Sequence, residues 1–148
     1  MDMIRIAIWA LMVIPVASLA DEQGIAGLTA HDMVDNRTML DLTPRMKHKL
    51  LSNMREQLAA TREIIGLIAQ EKFNSASSTA RSKLGKTDDL KPVYEAANNE
   101  DFSQLVLAAG ASGNELAKTL QTKDPKKSLL ALRKTMGICL QCHNKFRQ

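Results

Sequence analysis

The sequence of 148 residues predicts an all-α protein, and three observations support this class. Glycine and proline are few, with 7 and 4 residues, and runs of β-branched residues are short, which favours helices over sheet. Apolar residues recur at alternating steps of three and four along several long segments, as they do on one face of a helix. Four such segments with short or moderate connections predict an antiparallel four-helix bundle in a single domain.

The first twenty residues are a separate segment that is typical of an export signal. Arg5 precedes an apolar run, and the small residues Ser18 and Ala20 fit cleavage before Asp21. The alternative is a retained membrane anchor, but the apolar run of about fifteen residues is short of the roughly 20 that span a bilayer. We therefore predict a signal peptide over residues 1–20, cleaved after Ala20, and an exported, periplasmic protein without an anchor.

Residues 21–42 show no apolar period and predict an extended lead-in, which leaves residues 43–148 for the helical domain. Residues 43–73 predict the first long helix, because Thr43 can cap it and Pro44 suits its first position. We expect the buried face of this helix to be an apolar stripe flanked by Leu50 and Ile64 and made of Leu51, Met54, Leu58, Thr61, Ile65 and Ile68.

Residues 74–85 predict a short second helix that ends at Gly85. Residues 86–100 predict a connection that holds a turn or two of helix, because Pro92 stops any longer helical run.

Residues 100–123 predict the third helix. Its expected buried face consists of Phe102, Leu105, Val106, Ala109, Leu116 and Leu120. Gly110 and Gly113 lie inside this helix, where each costs about 1 kcal/mol relative to alanine. They indicate either the close approach of a flat ligand or a neighbouring helix, or small residues that are merely tolerated at a helix crossing.

Residues 124–148 predict the fourth helix, with Asp124 as its cap and Pro125 in its first position. Steps of three and four define an apolar stripe of Leu129, Leu132, Met136, Cys139, His143 and Phe146. The stripe predicts that the reactive side chains near the end of the chain continue the inner face of the domain.

Both cysteines of the chain lie three residues apart, and a histidine follows the second: Cys139, Cys142 and His143 form a Cys-x-x-Cys-His motif. This motif is the signature of covalent c-type haem attachment. Its spacing suits that chemistry, because two neighbouring thiols can add to the two vinyl groups on one porphyrin edge while the adjacent imidazole reaches the iron. Export agrees, since this haem is attached outside the bacterial cytoplasm. We therefore predict one covalent haem on the two cysteines, with His143 as an iron ligand.

Other uses of the two cysteines are less consistent with the sequence. A thioredoxin-like dithiol lies at a helix start after a strand, whereas this motif lies near the end of a predicted helix, where the dipole disfavours a thiolate. A structural zinc site needs four ligands, and the remaining histidines, His31 and His48, are seventeen residues apart. A disulfide across three residues would close a very small loop and stabilise little.

A helix bundle that ends with CLQCHNKFR, residues 139–147, resembles the cytochrome c′ family, the class II c-type cytochromes. Residues 43–148 share the architecture that this family has. The segment LSNMREQLAA is similar to the first helix of uncharacterised members. The C-terminal position of the motif supports the resemblance, because small class I cytochromes c carry theirs near the N-terminus.

The resemblance implies two alternatives for the second axial position of the iron. In the low-spin branch of the family a first-helix methionine ligates the iron and the protein carries electrons. Met54 is the candidate here, ahead of Met46 and His48. In the high-spin branch that position is empty behind an apolar side chain, and the iron binds gases such as NO and CO. The stripe position of Met54 by itself indicates only a core residue, since methionine commonly fills core gaps.

One position departs from the family pattern, in which an arginine often lies four residues before the distal residue and contacts a haem propionate. This chain has Leu50 there, which leaves Lys47, Lys49 or Arg55 as candidates for that contact. Arg147 follows His143 by four residues. It either lies close to the haem edge or acts as a C-terminal cation that favours the helix dipole.

The mature chain has 19 basic and 15 acidic residues once Arg5 and Asp2 are removed, so its net charge stays at +4. The charges are interleaved and predict a solvated surface with at most a weak preference for acidic partners, and no nucleic-acid interface.

We expect an electron carrier that serves redox partner proteins and turns over no substrate. The alternative is a pentacoordinate NO- or CO-binding protein. A peroxidase is less consistent, because no convincing distal His–Arg pair is present. The resemblance allows a homodimer on the first two helices, but the polar second helix supports it little, so monomer and dimer both stay open.

Overall fold

The computed structural model describes residues 34–148. The predicted signal peptide, most of the predicted lead-in and His31 lie outside the described residues. The described chain is mostly helical, with five α-helices: α1 (Pro44–Ala69), α2 (Phe73–Thr79), α3 (Lys91–Ala96), α4 (Glu100–Leu120) and α5 (Pro125–Lys145). Two short strands, β1 (Thr38–Met39) and β2 (Phe146–Arg147), pair in parallel. The prediction of an all-α protein is therefore confirmed for this part of the chain. None of its helices is both long enough and apolar enough to span a membrane.

The three long helices begin at side-chain caps. The Thr43 hydroxyl accepts a hydrogen bond from the Met46 backbone N–H, and Asp124 accepts one from the Lys127 N–H. Both residues occupy the cap positions that the sequence predicts, and a proline follows each cap. The Asn99 side chain caps α4 in the same way, at 3.0 Å from the Phe102 nitrogen. These bonds satisfy N–H groups that have no partner inside the helix.

The second predicted helix is present in two parts. α2 continues into a single π-helical turn over Ala80–Leu84, and Gly85 follows it. A 3₁₀ turn over Asp88–Leu90 then leads into α3, which confirms the short helical turns expected in this connection. α2 contacts both α1 and α4, and α4 packs along α5.

The two glycines inside α4 allow the chain itself to approach closely. A Cβ atom on Gly113 would lie 2.5 Å from the carbonyl carbon of Leu84, and one on Gly110 would lie 2.5 Å from Cγ2 of Thr87. Asn114 of the same helix donates from Nδ2 to the Gly85 carbonyl at 3.0 Å. The close-approach hypothesis is therefore confirmed, and the neighbour is the end of the π-helical turn together with the residues that follow it.

Two clusters of buried side chains form the core. The first core cluster joins α1, α2, α4 and α5 through Ala60, Ile64, Ile68, Phe73, Ala76, Ala80, Leu84, Leu116, Ala117, Leu120 and Leu132. The second core cluster joins the chain before α1 to α1, α3, α4 and the C-terminus through Leu40, Leu42, Leu50, Leu90, Val93, Phe102, Val106 and Phe146. Met46, Met54, Leu105 and Cys142 pack against the second cluster, which therefore contains the surroundings of the motif.

The predicted buried face of α4 is largely confirmed, and the predicted stripe of α1 is only partly right: Ile68 is buried and Met54 and Thr61 are partly buried, as expected. Leu51, Leu58 and Ile65 are exposed, whereas the predicted flanking residues Leu50 and Ile64 are buried. The doublets Leu50-Leu51 and Ile64-Ile65 offer two overlapping stripes, and a shift of one residue rotates the face by about 100°.

The stripe of α5 needs a similar correction. Leu129 and Met136 are exposed, and the buried positions next to Leu132 are Ser128 and Thr135. These two hydroxyls can be buried because each donates to a carbonyl one turn earlier, at 2.7 Å and 3.1 Å. The sequence pattern misses them since it counts only apolar side chains.

Candidate functional site

A cleft beside the second core cluster is bordered by side chains from α1, α4 and α5. Its lining is mostly apolar, and its polar and sulfur-bearing side chains come from α1 and α5. The lining residues are Leu50, Asn53, Met54, Gln57, Leu90, Phe102, Leu105, Val106, Ala109, Ile138, Cys139, Cys142 and His143. The cleft therefore brings both thiols, the imidazole of the motif and one thioether to the same space.

Helix periodicity accounts for this convergence. On α1 the lining positions follow the spacing i, i+3, i+4 and i+7 from Leu50, which is one face of a helix. On α5 the lining positions form two adjacent pairs one turn apart, Ile138 with Cys139 and Cys142 with His143. The three-residue gap between the cysteines thus keeps both sulfurs on the cleft side of α5.

The two cysteines are half-buried free thiols. Burial raises the pKa of Cys139 above its ordinary value of 9.0. Burial raises the pKa of Cys142 as well, and the nearby Cys139 adds to that rise. Both groups are therefore neutral thiols near pH 7. A redox dithiol needs a lowered pKa, so this environment argues against that alternative.

His143 lies in the last turn of α5, and its side chain is exposed rather than facing the interior as the predicted stripe implied. It borders the cleft and also a second cleft, which shares Met54, Cys142 and His143 with the first. α5 ends at Lys145, and Phe146 is extended, with its N–H donating to the Cys142 carbonyl. The side chain of His143 is thus part of the lining of both clefts.

Of the three candidates for the opposite axial ligand, Met54 alone lines a cleft with His143 among the residues the structure describes. Met54 is partly buried and borders both clefts. Met46 packs against the same core cluster but borders neither cleft. His48 is exposed on α1 and also borders neither.

The second cleft is lined by Met54, Cys142, His143 and Phe146, together with Arg37, Arg147 and Gln148. The Arg147 Nε donates to the Arg37 carbonyl at 3.3 Å. Arg147 and His143 therefore border the same cleft. The sequence did not predict Arg37 there, because it is 106 residues from His143 and no periodicity connects them.

The residues of the first cleft fit a covalently bound haem. Two thiols, an imidazole and a thioether are the side chains that bind such a group, and the apolar wall suits a porphyrin. The Oδ1 atom of Asn53 is buried against this cleft without a hydrogen-bond partner, a condition that calls for a bound group or ordered water. Among the described residues, no group of three or more His, Cys, Asp or Glu side chains is arranged to hold a metal ion.

No protein-family model, curated protein or solved structure matches the chain. The interpretation of this site therefore depends on its own residues and their arrangement.

Proposed function

We propose that the protein is a periplasmic monohaem c-type cytochrome of the cytochrome c′ type that transfers single electrons. The observation that carries this proposal is one apolar cleft bordered by Cys139, Cys142, His143 and Met54. Under this proposal α1, α2 with its π-helical turn, α4 and α5 are the four helices of an antiparallel bundle, with α3 in the connection.

Each of the four side chains has a separate task in this proposal. Cys139 and Cys142 would hold the haem through thioether bonds, and their neutral thiols provide the S–H groups that such bonds require. The His143 imidazole and the Met54 sulfur would be the two protein ligands of the iron. When bound, the haem supplies one-electron chemistry, as its iron changes between the ferric and ferrous states.

The surroundings favour electron transfer over turnover of a substrate. Leu50, Leu105 and Val106 give the cleft an apolar wall, which would limit the contact of a bound haem with water. Methionine as an axial ligand raises the reduction potential of a haem. With both residues as ligands, the iron would have no open position for a substrate. The partners would be redox proteins, and the export signal over residues 1–20 would bring the chain to the periplasm.

The first experiment expresses the full chain in a bacterial host with the machinery for covalent haem attachment. We expect a haem that stays with the polypeptide on a denaturing gel and adds the mass of one haem. The double variant Cys139→Ala and Cys142→Ala is the control and should lose that attached haem. A parent chain that carries no covalent haem would overturn the proposal.

Absorption and EPR spectra of the oxidised and reduced protein, with and without CO, then distinguish electron transfer from gas binding. A low-spin spectrum that does not change when CO is added supports electron transfer with Met54 on the iron. A high-spin spectrum that shifts with CO would overturn methionine ligation and make the protein a pentacoordinate NO- or CO-binding cytochrome.

A further inference from the structure

The end of α5 is held by a segment from the opposite end of the described chain. Thr38 and Met39 of β1 pair in parallel with Phe146 and Arg147 of β2. The Leu40 N–H donates to the Arg147 carbonyl at 2.9 Å. We call residues 37–42 and 146–147 the terminal clasp.

The terminal clasp is anchored in the core. Leu40 and Leu42 are 3% and 6% exposed and belong to the second core cluster, as does Phe146. The backbone of residue 37 is held as well, because its carbonyl accepts from the Arg147 Nε. The side chain of Arg37 therefore leaves from a backbone whose position is determined by packing and hydrogen bonds.

From this position the Arg37 side chain contacts the backbone of His143. Its Nη1 donates to the His143 carbonyl at 3.2 Å. Carbonyls in the last turn of a helix have no intrahelical partner. The Phe146 N–H satisfies the Cys142 carbonyl, and the Arg37 guanidinium satisfies that of His143. Arg37 also borders the second cleft together with Met54 and His143.

We propose that Arg37 is a positioning residue for His143 and raises the reduction potential of the bound haem. This inference rests on the proposed function. The hydrogen bond restrains the last turn of α5 and with it the backbone from which the imidazole extends. The guanidinium charge beside this turn disfavours the form of the iron with the extra positive charge, which is the ferric form. Arginine suits both tasks, because it stays charged and donates several hydrogen bonds.

The test measures the reduction potential of the haem-loaded full chain and of three loaded variants. Arg37→Gln removes the charge, and its amide ends two atoms short of Nη1, so it also loses the reach to the His143 carbonyl. Arg37→Lys keeps the charge with a different donor. Arg81→Gln is the matched control, since Arg81 is exposed and borders a separate cleft with Asn74 and Gln121.

We expect Arg37→Gln to shift the equilibrium toward the ferric form about threefold, which is about 28 mV for a one-electron couple at 59 mV per tenfold change. The shift should shrink as salt is added, because exposed charges are screened. Arg37→Lys should recover most of the potential, and Arg81→Gln should leave it unchanged. The EPR signal of Arg37→Gln should also broaden, because the imidazole is held less tightly once the bond to the His143 carbonyl is lost.

The outcomes distinguish this inference from the proposed function. A parent chain without haem would overturn both. A loaded parent whose Arg37→Gln potential and EPR signal match those of the parent would overturn the role of Arg37 alone, as would an equal shift in Arg81→Gln. The unfolding midpoint of each variant is measured in parallel, because a merely structural role would lower stability and leave the potential of the folded protein unchanged.

Discussion

The rings of Phe102 and Phe146 meet edge to face, with their centroids 5.5 Å apart and their planes at 73°. Phe102 lies in the first turn of α4 and lines the candidate haem cleft, and Phe146 is the third residue after His143. Both are almost fully buried. An ion pair between Lys145 and Asp101 runs beside this contact. The end of α5 therefore packs against the first turn of α4 next to the motif, and the contribution of this contact to stability can be measured directly.

Replacing Phe146 by alanine should destabilise the protein strongly. Truncation of a buried phenylalanine costs about 3–5 kcal/mol, through lost burial and the cavity that remains. The measurement is the free energy of unfolding from urea titration of the loaded chain.

A double-mutant cycle isolates the contact between the two rings. Phe102→Leu and Phe146→Leu keep most of the apolar volume, and the coupling between them should be about 0.5–1.5 kcal/mol, as expected for an aromatic pair. Strictly additive losses would contradict a specific ring contact.

Gly113→Ala should destabilise the protein even though alanine is the better helix former by about 1 kcal/mol. The new Cβ would lie 2.5 Å from the Leu84 carbonyl carbon, so the backbone of that turn would have to move. Gly110→Ala should be milder, because its nearest atom is the methyl end of Thr87. The measurement is the unfolding midpoint of each variant.

Gly66→Ala is the matched control for these two variants. It adds a Cβ inside α1, where the nearest atom beyond the local helix backbone is Nε2 of the Gln70 side chain at 4.0 Å. This variant should therefore be neutral or gain up to about 1 kcal/mol. Equal losses at positions 66 and 113 would show that close packing is not the reason.

The cap of α5 should make stability depend on acid pH. The backbone N–H of Lys127 donates to the Asp124 carboxylate and holds its pKa below the ordinary value of 3.8. A lowered folded-state pKa contributes stability above the unfolded pKa, and this contribution disappears as the pH falls through the folded pKa. We expect the ionised Asp124 cap to make its full contribution to the free energy of unfolding at about pH 6 and to lose it progressively below about pH 4.

Asp124→Asn separates titration from capping, because asparagine caps helices as well as aspartate but carries no charge. We compare the unfolding midpoints of the parent and this variant at about pH 6 and about pH 2.5. The parent should lose more stability in acid than the variant does, because only the parent has a carboxylate that becomes protonated at this cap. The carboxyl of Glu115, whose pKa the Lys118 contact lowers, is present in both proteins and cancels. A pH-independent difference would contradict the link between the charge and the cap.

Local chemistry made much of this fold predictable. Thr43 and Asp124 begin their helices where the sequence placed them, because a capping bond involves residues only three apart. The rotation of α1 was not predictable, since Leu50 and Leu51 are equally apolar and only the neighbouring elements decide which is buried. Arg37 was beyond sequence reasoning for a similar reason: its contact with the end of α5 exists only once β1 has paired with β2.

The side chain of Met54 gives the sharpest test of the axial ligand. If its sulfur completes the coordination of the iron, Met54→Ala should convert a low-spin spectrum to high spin and make the reduced protein bind CO. The reduction potential should fall as well, because a thioether ligand raises it. Absorption and EPR spectra of the purified variant, oxidised and reduced, measure each of these changes.

Met46→Ala is the control that separates ligation from packing. Both methionines lie on α1, are partly buried and pack against the second core cluster, but only Met54 borders the cleft with His143. The two variants should therefore lose similar stability, whereas Met46→Ala should keep the parent spectrum. If Met54→Ala also kept it, ligation by Met54 would be excluded and Met54 would be a core residue. If Met46→Ala alone became high spin, the ligand would come from two turns earlier on α1.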